Sequence, residues 1–311
     1  MANAPKKKNS STTSATKAGR RSAPSGRPAG LFTWAAVGLV VLVILVLVAV
    51  KVVSSPTAST VVTSSATPAT IVSELTSIPA STFNAVGVTS PAVAIYDPLK
   101  TKGQKILQLA DSAGVKRPTV FFYCAEYHPV CASLTWPTVI ALSRFGTISG
   151  LYNVNSAPNG PYKGTPSFTF SHVRYVSKWI NFFSVESSSN VPYRGGFQPL
   201  QTLSPAELTI VKKYDTKAFI PYAQSPGQIP FITFANQVIL GYGSIFTPAA
   251  LVNTTRDAVA ANLADPTNPL SQALVASANL QIASICKMIH NADTAVCGAP
   301  GTKAAIKALR L

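Results

Sequence analysis

A mixed α/β domain standing behind one apolar N-terminal helix is the fold class this sequence predicts, and three observations carry the prediction. Leu31 to Val50 is a run of twenty residues without a charge. Thr119 to Tyr123 is a compact apolar run of the kind that forms a buried strand. It passes through a turn at Glu126 to Pro129 into helical spacing at Val130, Leu134, Val139 and Leu142. β-rich runs follow, and then a helical carboxy-terminal part, with apolar positions three and four apart over Pro248 to Leu263 and Pro269 to Ile289.

Residues 1–30 carry Lys6, Lys7, Lys8, Lys17, Arg20, Arg21 and Arg27, no acid, and many Ser, Thr, Ala, Pro and Gly. Such a segment buries too little apolar surface to offset its ordering entropy, so a disordered basic tail is expected. It supplies seven of the sixteen net positive charges. The high charge is therefore partly topogenic, and the rest of the chain lacks the basic face with aromatic platforms that nucleic-acid binding needs.

At ~1.5 Å per residue the apolar run covers a hydrocarbon core about 30 Å thick, so residues 31–53 are expected to anchor the chain in lipid. The basic flank precedes the run, which puts the amino terminus in the cytoplasm and everything after Lys51 outside, at the cell membrane. A cleavable signal peptide is the competing reading, but its apolar core is typically about 7–15 residues and ends at a small-residue site. Residues 54–82, rich in Ser, Thr, Pro and Ala, are expected to form an extended stalk.

Residues 83–300 are long enough for one medium domain. Ala92 to Tyr96 reads as a first strand, Gln104 to Ala113 as a weak helix or loop, and Pro129 to Phe145 as a helix interrupted by Pro137 and ended by Gly146. Leu151 to Asn155, Ser167 to Phe170 and Trp179 to Val185 read as strands, followed by a Ser- and Gly-rich loop over Ser187 to Gly196. Ser204 and Glu207 form a capping box, with Pro205 at the first helical position. Gly227 to Gly241 reads as a hairpin turning at Ala235 to Gln237, and residues 301–311 as a basic tail, either a short helix or frayed.

The stretch AEYHPVCASLTW followed by ALSRFG resembles the active-site segment of the thioredoxin superfamily, strand then A-E-[WY]-C-x-x-C then helix. It is similar, more closely, to the membrane-anchored family known as domain of unknown function nine hundred twenty-nine, whose members read G-A-E-Y-C-P-Y-C-A, then a Trp, then A-L-S-R-F-G. Ala125, Glu126, Tyr127, Pro129, Cys131, Ala132, Trp136 and Ala141 to Gly146 match; His128 stands where the first motif cysteine is expected. The resemblance implies a thioredoxin-like fold, a central mixed sheet flanked by helices. It also implies a hairpin opened by a cis proline at Pro230, with Ile229 and Pro230 walling a substrate groove; Thr165-Pro166 is the rival position.

Four cysteines outside the membrane lie in an oxidising space, where pairing is expected. Cys286 and Cys297 close a short loop at the end of the last long helix, which makes theirs the expected structural disulfide. Cys124 and Cys131 are left with three readings. In the first the superfamily site is degenerate: His128 cannot act as attacking thiolate, the carboxylate position falls at Phe122, and the groove serves binding or structure, with no cofactor and an extracytoplasmic protein or peptide as partner. In the second, Cys124 and Cys131 form a reversible disulfide and His128 holds a thiolate, the chemistry of a thiol-disulfide oxidoreductase. In the third, Cys124, His128 and Cys131 hold copper or zinc. The first is preferred, and enzymatic activity is not the expected reading. Glu126 is expected to be a solvated turn residue. With only ten acids and no phosphate loop or Ser-His-Asp order, hydrolase chemistry has little to build on.

Overall fold

The computed structural model describes residues 65–88 and 97–311. The expected basic tail, membrane anchor, first part of the stalk and strand at Ala92 to Tyr96 lie outside the described residues. No helix among the described residues is long and apolar enough to cross a membrane.

The described part is a mixed α/β fold. It opens with β1 (Ser65–Ala66), α1 (Ala69–Thr76), α2 (Ala80–Val86), β2 (Leu99–Lys100), β3 (Gln108–Ala110) and β4 (Lys116–Cys124). The helix after the motif turn is α3 (Pro129–Ser143), followed by β5 (Thr147–Ser149), β6 (Tyr152–Asn155), β7 (Pro166–Thr169), β8 (Arg174–Val176) and β9 (Asn181–Glu186). Then come β10 (Ser188–Tyr193), β11 (Gly196–Pro199), α4 (Pro205–Tyr214), β12 (Phe231–Phe234) and β13 (Val238–Gly241). A 3-10 turn (Pro248–Leu251) leads to α5 (Arg256–Ala261), α6 (Pro269–Met288), α7 (Thr294–Cys297) and α8 (Pro300–Ala308).

The central sheet is mixed, in the order β2-β13-β12-β4. The far edge of β4 is shared: its first residues pair antiparallel with β3 and the rest run parallel to β9. Because successive side chains of a strand point to opposite faces, β4 feeds two cores. Val120, Phe122 and Cys124 join Ile232, Phe234, Val238 and Leu240 in the cluster that holds α3 and α6. Phe121 turns the other way, with Phe231 and Ile239, onto Ile210 and Val211 of α4. Burying each large side chain contributes ~1.5–3 kcal/mol, and Val120, Phe121 and Phe122 are fully buried.

The helix α6 runs through the larger cluster with both apolar and polar residues buried. Two of its buried amides are half satisfied: Asn279 donates to the carbonyls of Phe83 and Gly87 at 2.9 and 2.6 Å, and Gln281 accepts from Thr138 at 3.1 Å, while Asn279 Oδ1 and Gln281 Nε2 have no partner. A half-buried guanidinium, that of Arg256, donates to the carbonyls of Ser167 and Val154 and to Asn155, tying α5 to the β6-β7 pair.

Several expectations are corrected. The stalk does not extend to residue 82, because α1 and α2 are packed helices whose Ile71, Leu75, Phe83 and Val86 belong to the main core. Their Ser, Thr and Ala content disguised an apolar stripe. Of the two readings of the basic tail at 301–311 the short helix is the one that forms, as α8, held against α2 so closely that a side chain at Gly301 would clash with the Phe83 carbonyl. Gln104 to Ala113 contributes the edge strand β3. The Ser- and Gly-rich loop is the β10-β11 hairpin, turning at Arg194 and Gly195, both at positive φ. The helix expected over Pro248 to Leu263 is broken between the 3-10 turn and α5, where Asn253 adopts φ 62°. The capping box at Ser204 and Glu207 forms as expected, and so does the Phe231–Gly241 hairpin.

Candidate functional site

The strand β4 ends at Cys124, the chain turns through Ala125 to His128, and α3 starts at Pro129. Proline suits this position because the first helical amides need no partner. Cys131 then falls on the first turn, and the return brings its sulfur to that of Cys124: the two are joined by a disulfide with Cα atoms 5.7 Å apart. The turn is pinned on both sides. Glu126 donates its amide to Ser188 at 2.9 Å, Ser187 donates to the Cys124 carbonyl at 2.8 Å, and Ala157 donates to the Tyr127 carbonyl at 2.9 Å.

The disulfide is sealed. Cys124 is 1% exposed and Cys131 3% exposed. With both sulfurs bonded to each other, neither is present as the thiolate that copper or zinc would need, and no group of three or more His, Cys, Asp or Glu side chains among the described residues is arranged to hold a metal ion. His172, a conceivable fourth ligand, is instead packed on Tyr152 with ring centres 4.9 Å apart.

His128 caps α3 without a side-chain cap hydrogen bond, and its Nδ1 is buried without a partner. Burial lowers its pKa, so the imidazole is neutral near pH 7. Beside it lies an open cleft of about 360 Å³ lined by Tyr123, Tyr127, His128, Ser187, Gln228 and Ile229. The structure thus places Ile229 opposite the motif turn, and Pro230 follows it in a cis peptide bond. Cys286 and Cys297 are not part of this site; their disulfide, Cα atoms 5.6 Å apart, ties the end of α6 to α7.

Three acids near the site were not legible as functional from sequence. Glu186, directly opposite Cys124 in the parallel pair, is 2% exposed and accepts from the Thr169 hydroxyl and, at 3.1 Å, from the Phe170 amide. Burial pushes its carboxyl up to about 8, and the neighbouring Glu126 adds to the effect. Glu126 is buried, not the solvated turn residue expected; burial raises its pKa, with Thr169, the Asn190 amide and His172 pulling the other way. Asp215, at the end of α4, is fully buried. Burial raises it to about 7 while the amides of Gly227 and Gln228 oppose the shift, and neither carboxylate oxygen has an aligned donor. The signal that would have found Glu186 is its place at the end of an otherwise apolar strand, beside the motif in space and far from it in sequence.

The family model described as Domain of unknown function (DUF929) matches residues 106–287, a span running from β3 through the disulfide turn and the cleft to the end of α6. No curated protein and no solved structure matches. Since that span is more than half of the chain, the protein belongs to the DUF929 family.

Proposed function

We propose that the chain is a membrane-anchored, extracytoplasmic binding module of thioredoxin-like type, in which the motif disulfide is structural and the cleft beside it holds a partner. One observation carries the reading: the Cys124–Cys131 bond is sealed, at 1% and 3% exposure, while the cleft a few residues away is open. Exchange needs an attacking thiolate to reach a sulfur along the disulfide axis. Here both sulfurs belong to an apolar cluster, and the motif position that lines the cleft is His128, which has no thiol. Support for thioredoxin likeness comes from a cysteine on the first turn of α3, His128 at the first motif position, Ile229 in the cleft wall, and the cis peptide bond between Ile229 and Pro230, the latter buried behind that wall. Anchoring rests on the charge-free run within residues 31–53 and its basic flank, with the amino terminus cytoplasmic.

The second reading, a thiol-disulfide oxidoreductase using Cys124 and Cys131, is favoured by the raised carboxyl of Glu186 opposite Cys124, which can exchange a proton near neutral pH. Thiol trapping of the full chain across a graded glutathione redox buffer separates the two. A structural bond stays closed until the domain unfolds. A Cys124–Cys131 bond that opens reversibly in the folded protein, under conditions where Cys286–Cys297 stays closed, would replace the binding reading with the redox one.

A further inference from the structure

The cleft beside the disulfide is one of three depressions that follow one another across the surface. Tyr127, in its wall, stacks face to face on Phe197, with ring centres 4.2 Å apart and planes 3° apart. Phe197 in turn lines a depression of about 430 Å³ with Asn159, Tyr193 and Arg194. Asn159 is shared with a third, of about 850 Å³, which also includes Tyr162, Lys163 and Asn253. Each is the size of a site for one small molecule; three in series suit a polymer.

Their chemistry is consistent along the path. No Asp or Glu lines any of the three, whereas Lys163 and Arg194 do. The acids near one end, Glu126 and Asp215, are buried. Tyr162 and Tyr193 are 40% and 46% exposed, so each presents ring surface to solvent. At the cleft end the buried acceptors Nδ1 of His128 and Oε1 of Gln228 have no donor. Three of the lining residues, Tyr162, Arg194 and Asn253, adopt left-handed backbone at φ 54°, 46° and 62°. Such conformations cost energy in residues other than glycine and cluster at binding sites.

We propose that the three depressions form one groove that binds an acidic polysaccharide chain. Sugar rings present flat C–H faces that stack on exposed tyrosines, and their hydroxyls both donate and accept, which suits amide side chains and unpartnered acceptors alike. The acidic substituents meet Lys163 and Arg194 with no carboxylate in the lining to repel them. A peptide groove would carry pockets for alternate side chains; these depressions are open, and beside Pro158, Pro192, Ala249 and Val252 they present the rings of Tyr162, Tyr193 and Phe197, the amides of Asn159 and Asn253, and two cations.

The assignment rests on the reading of the domain as a binding module, and the test keeps the two apart. Binding of the full chain to oligogalacturonate, dextran and poly-glutamate of matched length is measured by calorimetry. Oligogalacturonate is expected to bind, to lose at least tenfold in affinity in the Tyr162→Ala/Tyr193→Ala variant, and to retain it in Tyr162→Phe/Tyr193→Phe, which keeps the ring faces. Lys163→Gln/Arg194→Gln is expected to weaken oligogalacturonate by a larger factor than dextran, since only the former loses a charge partner; an equal loss for both would overturn the assignment. Equal binding of poly-glutamate, affinity indifferent to the tyrosines as in simple attraction to the basic tail, equal binding of dextran, or no binding would each overturn the assignment. Thiol trapping on the same samples reads the parent proposal independently: a disulfide that stays closed with no saccharide response removes only the polysaccharide.

Discussion

Glu186 makes stability depend on pH in a direction opposite to that of ordinary salt-bridged carboxylates. Its carboxyl is 2% exposed, accepts from the Thr169 hydroxyl and the Phe170 amide, and faces no cation close enough to offset its burial. Burial raises it to about 8 from the ordinary value of 4.5. A group whose folded pKa is raised holds its proton longer in the folded state, so its stabilising effect is complete below the unfolded pKa and is lost as pH rises through the folded one. The window is therefore about pH 4.5 to 8. Each unit corresponds to about 1.4 kcal/mol, which puts an upper bound of ~4–5 kcal/mol on the loss; relaxation and water entry reduce it to a few kcal/mol, still a large part of a typical domain's 5–15 kcal/mol. Glu126 and Asp215 are shifted in the same direction and add to the slope. Glu186→Gln keeps an acceptor for Thr169 and Phe170 and removes the ionisation. Urea unfolding of the disulfide-intact protein across this range is expected to show stability falling with pH in the parent and falling less steeply in Glu186→Gln. At pH 8 the variant should be the more stable of the two. A parent whose stability rises through this window, or a variant with an unchanged slope, would refute the argument.

Further outcomes follow from the same structure. Asp215→Asn removes a buried carboxylate that lacks aligned donors, and is expected to raise the melting temperature at pH 8 while changing little at pH 5. Gly301→Ala places a methyl group against the Phe83 carbonyl and is expected to cost ~1–3 kcal/mol in chemical denaturation, by lifting α8 from α2; a neutral result would mean that contact yields easily. Replacing Cys286 and Cys297 by serine is expected to cost ~2–3 kcal/mol and leave saccharide affinity unchanged, since that disulfide lies outside the cleft. An NMR titration of His128 is expected to place its pKa below that of an unburied imidazole; a value at or above the ordinary one would show that the cleft solvates the ring.

What was legible in the sequence was what local patterns control. The apolar run of β4, Pro129 at the start of α3, the capping box at Ser204 and the Phe231–Gly241 hairpin all declare themselves within a few residues, and each forms. The misses share another cause. Ile71, Leu75, Phe83 and Val86 are diluted among Ser, Thr and Ala, so α1 and α2 read as linker until α3 and α5 supply the surface that α1 covers and α6 and α8 the surface that α2 covers. The β10-β11 hairpin depends on Arg194 accepting a left-handed backbone, which residue identity does not announce. Within the site, Cys124, His128, Cys131 and Ile229 were visible because a motif groups them. Glu186 and Asp215 were not, because sheet pairing and helix packing bring them there from distant parts of the chain.

The sealed disulfide and the open cleft make sense together. The strands β4 and β9 run parallel and end side by side, at Cys124 and Glu186, and the crevice beyond the carboxyl ends of parallel strands is where open α/β sheets bind ligands. Tyr127, His128 and Ser187, the residues just past those ends, line the cleft. A turn in that place would pay an ordering cost on binding unless something already held it. The Cys124–Cys131 bond ties its two ends, the amides of Glu126 and Ala157 fix its flanks, and Glu186, beside Cys124 in the parallel pair and raised to about 8 by burial, puts no buried charge next to it near neutral pH. Affinity gained this way comes from preorganisation. The role of the cysteines in a binding module is then to hold Tyr127 against Phe197 and His128 in the wall. Replacing Cys124 and Cys131 together by serine should weaken saccharide binding, and a variant that bound as the parent does would show that the fold alone keeps the turn in place.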